Sequence, residues 1–167
     1  MRGRVGVARI VMPGGCGAGD ARRGRSDRFG SVRSGGEAVY GGPVPLRGLV
    51  MDLGGVLTDG PEVLELVRRA RAAGCPTALV SDAHAVSDEL AALFDVLVLG
   101  PALGVRKPDP EVFRRTAGLL GLGVDECVVV DDLAVNVRGA REAGAVVVHH
   151  VDPERTVDEV EVLLGLT

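Results

Sequence analysis

Aromatic residues are nearly missing from this 167-residue chain, which has no tryptophan, one tyrosine and three phenylalanines. A core of the size that 46% hydrophobic residues permits must therefore be built from Val, Leu and Ala. No apolar run approaches the ~20 residues needed to span a bilayer, so no membrane association is expected. Cysteine is scarce too: Cys16, Cys75 and Cys127 are an odd set without metal-ligand spacing. Cys127 opens an apolar strand, where a small buried thiol is expected. Together these features read as a cytoplasmic protein.

Lysine is the rarest charge. Lys107 is the only one, set against eighteen arginines. The net charge of −4 hides a division along the chain. Residues 1–48 hold nine arginines against three acids, whereas residues 49–167 hold ten basic and twenty acidic residues. An acidic folded part argues against a nucleic-acid-binding surface there.

Residues 1–45 read as a Gly/Arg-rich tail, as in "GGCGAGDARRGRSDRFGSVRSGG", with no sustained apolar period. A disordered extension or an over-long start is expected, ahead of a transit peptide or an RNA-contacting arm. Residues 46–167 read as one α/β domain. Apolar strands are expected at Leu49–Met51, Thr77–Val80, Val96–Leu99, Cys127–Val130 and Val146–Val148. Helices alternate with them at Pro61–Ala73, Ala85–Leu93, Pro110 to about Leu120 with Asp109 as its cap, Ala134–Ala143 and roughly Thr156–Leu164. Continuously apolar strands separated by helices predict a parallel sheet covered on both faces.

In such sheets ligands bind at the carboxyl ends of the strands, near the point where strand order reverses. The residues at those ends are Asp52, Ser81 with Asp82, and Asp131 with Asp132, and Lys107 lies in the loop after the third strand. An aspartate, a hydroxyl, a lysine and a carboxylate pair form a self-consistent phosphoryl-transfer set. A carboxylate can attack phosphorus. A hard divalent cation such as Mg2+ takes oxygen ligands such as Asp131. An ammonium offsets charge on the phosphoryl oxygens, and a serine hydroxyl can hydrogen-bond one of them. The lone lysine strengthens this reading, because the planar fork of arginine would not occupy the same space.

The order "DLGGV" with Asp52, "LVSD" with Ser81, "RKPDPEVF" with Lys107 and "VVVDD" with Asp131 and Asp132 resembles the haloacid dehalogenase-like (HAD) hydrolase superfamily over residues 47 to about 150. The resemblance implies a three-layer Rossmann-like fold with a five-stranded parallel sheet ordered 3-2-1-4-5. It implies an Mg2+-dependent hydrolase, a phosphatase acting on phosphate monoesters through an aspartyl-phosphate. Position by position it makes Asp52 the nucleophile, Ser81 the phosphate-binding hydroxyl and Lys107 the charge-balancing lysine. The metal would be held by Asp52, the Gly54 carbonyl, Asp131 and Asp132, the last directly or through water. Response-regulator receivers use a similar set, but their acid pair comes first and their lysine last, and topology follows chain order.

Two departures qualify the resemblance. Phosphatases of this type carry a second aspartate two residues after the nucleophile, as general acid and base; this chain has Gly54. Such catalysis is worth ~10²–10⁴-fold, so alkyl phosphates should turn over slowly unless Asp59 or His84 substitutes. The dehalogenase branch also lacks that aspartate, but the pair Asp131 and Asp132 favours metal and phosphate. The second departure is the spacing: Pro61 to Pro76 and Ser81 to Lys107 are too short for a cap domain. The site should be open, suiting a large phosphorylated substrate or a partner subunit that supplies a lid. The competing class is a weak or inactive member that binds a phosphorylated ligand or protein. Asn136 is read either as orienting the site or as a plain helix-start residue, and His149 and His150 as surface residues.

Overall fold

The computed structural model describes residues 44–100 and 102–166. The tail expected over residues 1–45 lies almost entirely outside them. Five strands form one parallel sheet: β1 (Gly48–Met51), β2 (Thr77–Ser81), β3 (Val96–Leu99), β4 (Cys127–Asp131) and β5 (Val146–His149). Their order is β3-β2-β1-β4-β5, as the resemblance implied. β1 lies at the centre, with Met51 beside Leu79 of β2 on one side and Val130 of β4 on the other. The order reverses at β1, so the end of that strand is the switch point of the sheet.

The helices are α1 (Pro61–Ala72), α2 (Asp88–Ala91), α3 (Pro110–Leu119), α4 (Ala134–Ala143) and α5 (Pro153–Leu164). The two faces of the sheet read directly from the alternation of side chains along each strand. On one face Leu49, Met51, Leu79 and Val130 pack with Val63, Leu66 and Val67 of α1 and Val160 of α5. On the other, Val50, Val80 and Val129 pack with Val112 and Phe113 of α3 and Ala140 of α4. Burying a Val or Leu side chain is worth about 1.5–3 kcal/mol, so these two apolar layers, with Phe113 as one of their few aromatics, carry the fold.

Helix starts follow their sequence signals. Pro61, Pro110 and Pro153 stand at the first helical position, where a missing N–H costs nothing. The Asp109 carboxylate accepts from Glu111 N–H and the Asp152 carboxylate from Arg155 N–H. The Asp152 cap moves the start of α5 three residues ahead of the expected Thr156. The helix expected over Ala85–Leu93 shrinks to Asp88–Ala91, because Ser87 takes the cap by accepting from Leu90 N–H. Ala85 and Val86 precede that cap and stay outside the helix. Exposed arginines of α1 are paired: Arg69 with Glu161, joining α1 to α5, and Arg71 with Asp95. No described helix is long and apolar enough to cross a membrane.

Candidate functional site

Asp52, Ser81 and Asp131 each sit where a strand runs out. Asp52 follows β1, and its N–H still donates to Val130 O at 3.0 Å, so the residue is held by β4 as well as by its own strand. Ser81 and Asp131 are the last residues of β2 and β4. Asp52 and Asp131 meet Lys107, from the loop after β3, in one buried cluster. Lys107 Nζ donates to Asp52 Oδ1 at 2.5 Å and to Asp131 Oδ2 at 2.7 Å, and the three side chains are 5%, 9% and 1% exposed. Burial drives the Asp52 carboxyl above its ordinary value, against the pull of the Lys107 ammonium. Lys107 is also raised: burial opposes its charge, but the two carboxylates outweigh that and hold the ammonium protonated.

Asp131 is fixed from both sides. Its Oδ1 accepts from Leu133 N–H at 3.0 Å and from Asn136 Nδ2 at 2.9 Å, and Asn136 reaches Oδ2 at 3.1 Å. Asn136 is buried at the start of α4, so of the two readings left open for it the orienting one holds. Ser81 is buried, and its Oγ accepts from Ala83 N–H at 3.2 Å. That leaves the hydroxyl proton available to a ligand oxygen.

After Asp52 the chain makes a single turn over Leu53–Leu57, broken at the glycines. Gly54 has φ −74° and ψ 130°, a conformation open to any residue, and a Cβ added there would meet nothing within 4 Å. Gly55 is different. Its φ of 74° is in the left-handed region, and a Cβ there would run into the Asp132 carboxylate. The turn closes by Gly55 N–H donating to Thr58 Oγ1 at 3.0 Å and Thr58 N–H donating to Leu53 O at 3.3 Å.

One ligand oxygen each from Asp52, Asp131 and Asp132 can lie within 4.8 Å of the others. The set is all oxygen, the donor type of a hard divalent cation. Three carboxylates facing one ammonium leave two negative charges in excess when all are ionised. Asp132 Oδ1 is buried without a hydrogen-bond partner, a costly state for a carboxylate oxygen that a cation would relieve. The residues therefore fit Mg2+.

The other candidates lie elsewhere. His84 is exposed, and its ring borders Gly100. The Asp59 carboxylate is engaged by His150, whose Nε2 lies 3.0 Å away. His150 was expected at the surface and is instead buried, because the β5 exit turns it inward between Asp59 and Thr156. His149 is exposed as expected, with Nε2 2.9 Å from Asp132 O. Nothing in the sequence near His150 signalled its burial, since Asp59 lies 91 positions away. Cys127 is buried in β4 as expected, and burial pushes its thiol up to about 12.

No cap covers the cluster among the described residues. Only Thr58–Gly60 separate the Asp52 turn from α1, and between β2 and β3 there is only the four-residue α2. Leu133 and Val135, beside the acid pair, are exposed.

A family model described as haloacid dehalogenase-like hydrolase matches residues 60–144, just over half the chain. The crystal structure of an uncharacterized protein from Corynebacterium glutamicum is 34% identical, with a TM-score of 0.66, and the match covers 73% of this chain and 97% of that one. Acyl-CoA dehydrogenase family member 10 of Mus musculus is 32% identical over 111 residues, 63% of this chain and 10% of that protein. A glyceraldehyde 3-phosphate phosphatase of Methanopyrus kandleri is 33% identical over 96 residues, 53% of this chain and 41% of that protein. The chain thus spans only a tenth to about two-fifths of the length of those two relatives. With its sheet order, its buried carboxylate–lysine cluster and this match, the chain belongs to the haloacid dehalogenase-like hydrolase family.

Proposed function

We propose that this chain is an Mg2+-dependent phosphatase that cleaves phosphate monoesters through an aspartyl-phosphate on Asp52. The observation that carries the reading is the buried cluster itself, in which Lys107 bridges Asp52 and Asp131 while Asp132 keeps an unpartnered oxygen. Relatives named as phosphatases, such as the phosphoglycolate phosphatase of Cupriavidus necator, 42% identical over 55 residues, support the same reaction class. Asp52, the Gly54 carbonyl, Asp131 and Asp132 would hold the ion, which when bound offsets charge on the phosphoryl oxygens.

The chemistry then falls to the chain's own groups. An Asp52 oxygen attacks phosphorus and the bond to the leaving oxygen breaks. Ser81 Oγ–H donates to a phosphoryl oxygen, and Lys107 offsets the charge on the group in transfer. Water next attacks phosphorus, releasing inorganic phosphate and restoring the Asp52 carboxylate. Gly54 offers no proton to the leaving oxygen, so a departing alkoxide must take its proton from water. Leaving groups that are stable as anions are therefore favoured. The open site suits a large phosphorylated substrate or a partner that supplies a lid, and the acidic balance of the folded part disfavours nucleic acid.

The test is phosphate release from an aryl phosphate with Mg2+, comparing the chain with Asp52→Asn. Turnover that needs both the metal and Asp52 is expected; none across a broad phosphate panel overturns the reading. Gly54 favours one second reading, a weak or inactive member that binds a phosphorylated ligand. Beryllium fluoride binding at Asp52 without turnover would select it.

A further inference from the structure

Outside the carboxylate cluster, His150 is a buried histidine with both ring nitrogens engaged. It follows β5 directly, and its side chain is 2% exposed. Nδ1 lies 2.8 Å from Thr156 Oγ1 on α5, and Nε2 lies 3.0 Å from Asp59 Oδ2. A carboxylate only accepts, so Nε2 carries a proton toward Asp59, and in the neutral ring Nδ1 accepts the Thr156 hydroxyl proton. The backbone N–H of His150 donates to Asp131 O at 3.0 Å. One residue thus touches the strand that carries Asp131, the helix α5 and the loop after β1.

Asp59 ends the turn that Asp52 begins, and its N–H donates to Val56 O at 3.2 Å. At the other end Asp52 N–H is fixed to Val130 O. Between these anchors lie Gly54 and Gly55, both exposed and without side chains that could pack. A glycine pair has high backbone freedom, so its position depends on its neighbours: Val56 and Leu57 are packed in the core, and Asp52 and Asp59 are held by hydrogen bonds. No cap is inserted here to stiffen it. The half-exposed Asp59 is the only side chain of the loop segment Thr58–Gly60 for which a bond to β5 or α5 is found among the described residues.

We infer that His150 and Asp59 are positioning residues: their bond clamps the Leu53–Asp59 turn so that the Gly54 carbonyl and the Gly55–Asp132 contact stay in place for a divalent cation. The inference rests on the reading of Asp52, Gly54, Asp131 and Asp132 as the Mg2+ site. Groups that orient metal ligands typically change affinity by about 10–100-fold when lost. The clamp acts one step further out, so the lower end of that range applies.

Two measurements on the full chain separate the clamp from the site it serves. Amide hydrogen exchange at Thr58 compares wild type with Asp59→Ala and His150→Gln, the first a change at a half-exposed position. Isothermal titration with Mg2+ alone compares the same proteins, with Asp131→Asn as the control that removes a ligand. The expected result is Thr58 exchange about tenfold faster in Asp59→Ala, β2 and α3 amides unchanged, and Mg2+ affinity about tenfold weaker. His150→Gln, which keeps a donor, recovers part of both. Unchanged Thr58 exchange overturns the clamp, and so does a loosened turn with unchanged Mg2+ affinity. If wild type binds Mg2+ no better than Asp131→Asn, the metal site itself fails and the clamp's role in it falls too; the exchange arm then shows separately whether the turn is held.

Discussion

Lys107 and Asp52 meet at 2.5 Å although 55 positions separate them in the chain. Their burial makes the pair sensitive to the loss of either partner in opposite ways. Removing the ammonium leaves Asp52 and Asp131 facing each other without compensation, and breaking a buried pair in this way typically costs about 3–5 kcal/mol. Lys107→Met should lower the stability of the metal-free protein by that order in urea unfolding. Lys107→Arg should not restore it, because the planar guanidinium needs more room than the ammonium.

Asp52→Asn should do the reverse. Burial raises the Asp52 carboxyl, so its ionised form is disfavoured in the folded protein. As pH rises from the ordinary 3.8 toward the folded value, the fold keeps a proton that the unfolded chain releases, and stability falls. A neutral amide escapes that loss. Without Mg2+, Asp52→Asn should be more stable at pH 7 by roughly 0.5–2 kcal/mol while losing all turnover. A destabilised variant would count against the assignment of Asp52 as a residue held for chemistry.

Gly54→Asp should raise activity. The backbone there suits any residue and the space beyond it is free. A carboxyl two residues after the nucleophile could protonate the leaving oxygen, a contribution of ~10²–10⁴-fold. The gain should appear on alkyl phosphates and be small on aryl phosphates, as measured by kcat on matched pairs. Gly55→Ala, one residue on, should instead weaken Mg2+ binding, because its Cβ would displace Asp132.

Gly139→Ala tests how α4 is docked. A Cβ at this position would overlap the carbonyl of Pro108, a backbone group beside Lys107 that cannot rotate aside. Overpacking of this kind typically costs 1–3 kcal/mol. Thermal unfolding should register the loss, and kcat should fall with it as the Lys107 loop shifts.

Alkaline pH should unfold the protein progressively. Burial pushes Cys127 to about 12 and Cys75 to about 11, from 9.0 for a free thiol, and Lys107 is raised as well. Each then contributes stability that is intact below its unfolded value and is lost as pH climbs toward its folded one. Tm should decline between about pH 9 and 12, and Cys127→Ala should flatten that slope. A level Tm up to pH 11 would contradict the burial of these thiols.

The five strands and their parallel sheet were legible in the sequence because apolar runs alternate with helices, each bounded by a turn; their order came from the family resemblance. Asp52, Ser81 and Asp131 were candidates because each ends a strand, and Lys107 because it lies in the loop after the third; the fold brings Asp52, Lys107 and Asp131 together. What escaped was set by distant partners. His150 looks like one of a surface pair, and only the folded chain brings it to Asp59 and Thr156. Gly139 reads as an ordinary helix glycine until Pro108 lies against it. The short α2 was missed because Ser87, inside an apparently helical run, takes the cap.

Lys107 comes from the loop that leads into α3, and Asp59 from the loop that leads into α1, on opposite faces of the sheet. Asp131, in the sheet between them, touches both Lys107 and His150. The polar rim is thus a joint between two layers whose cores are otherwise separate. Anything taken up there would tie those layers together, so its occupancy should be felt as a stiffening of the whole domain rather than of one loop.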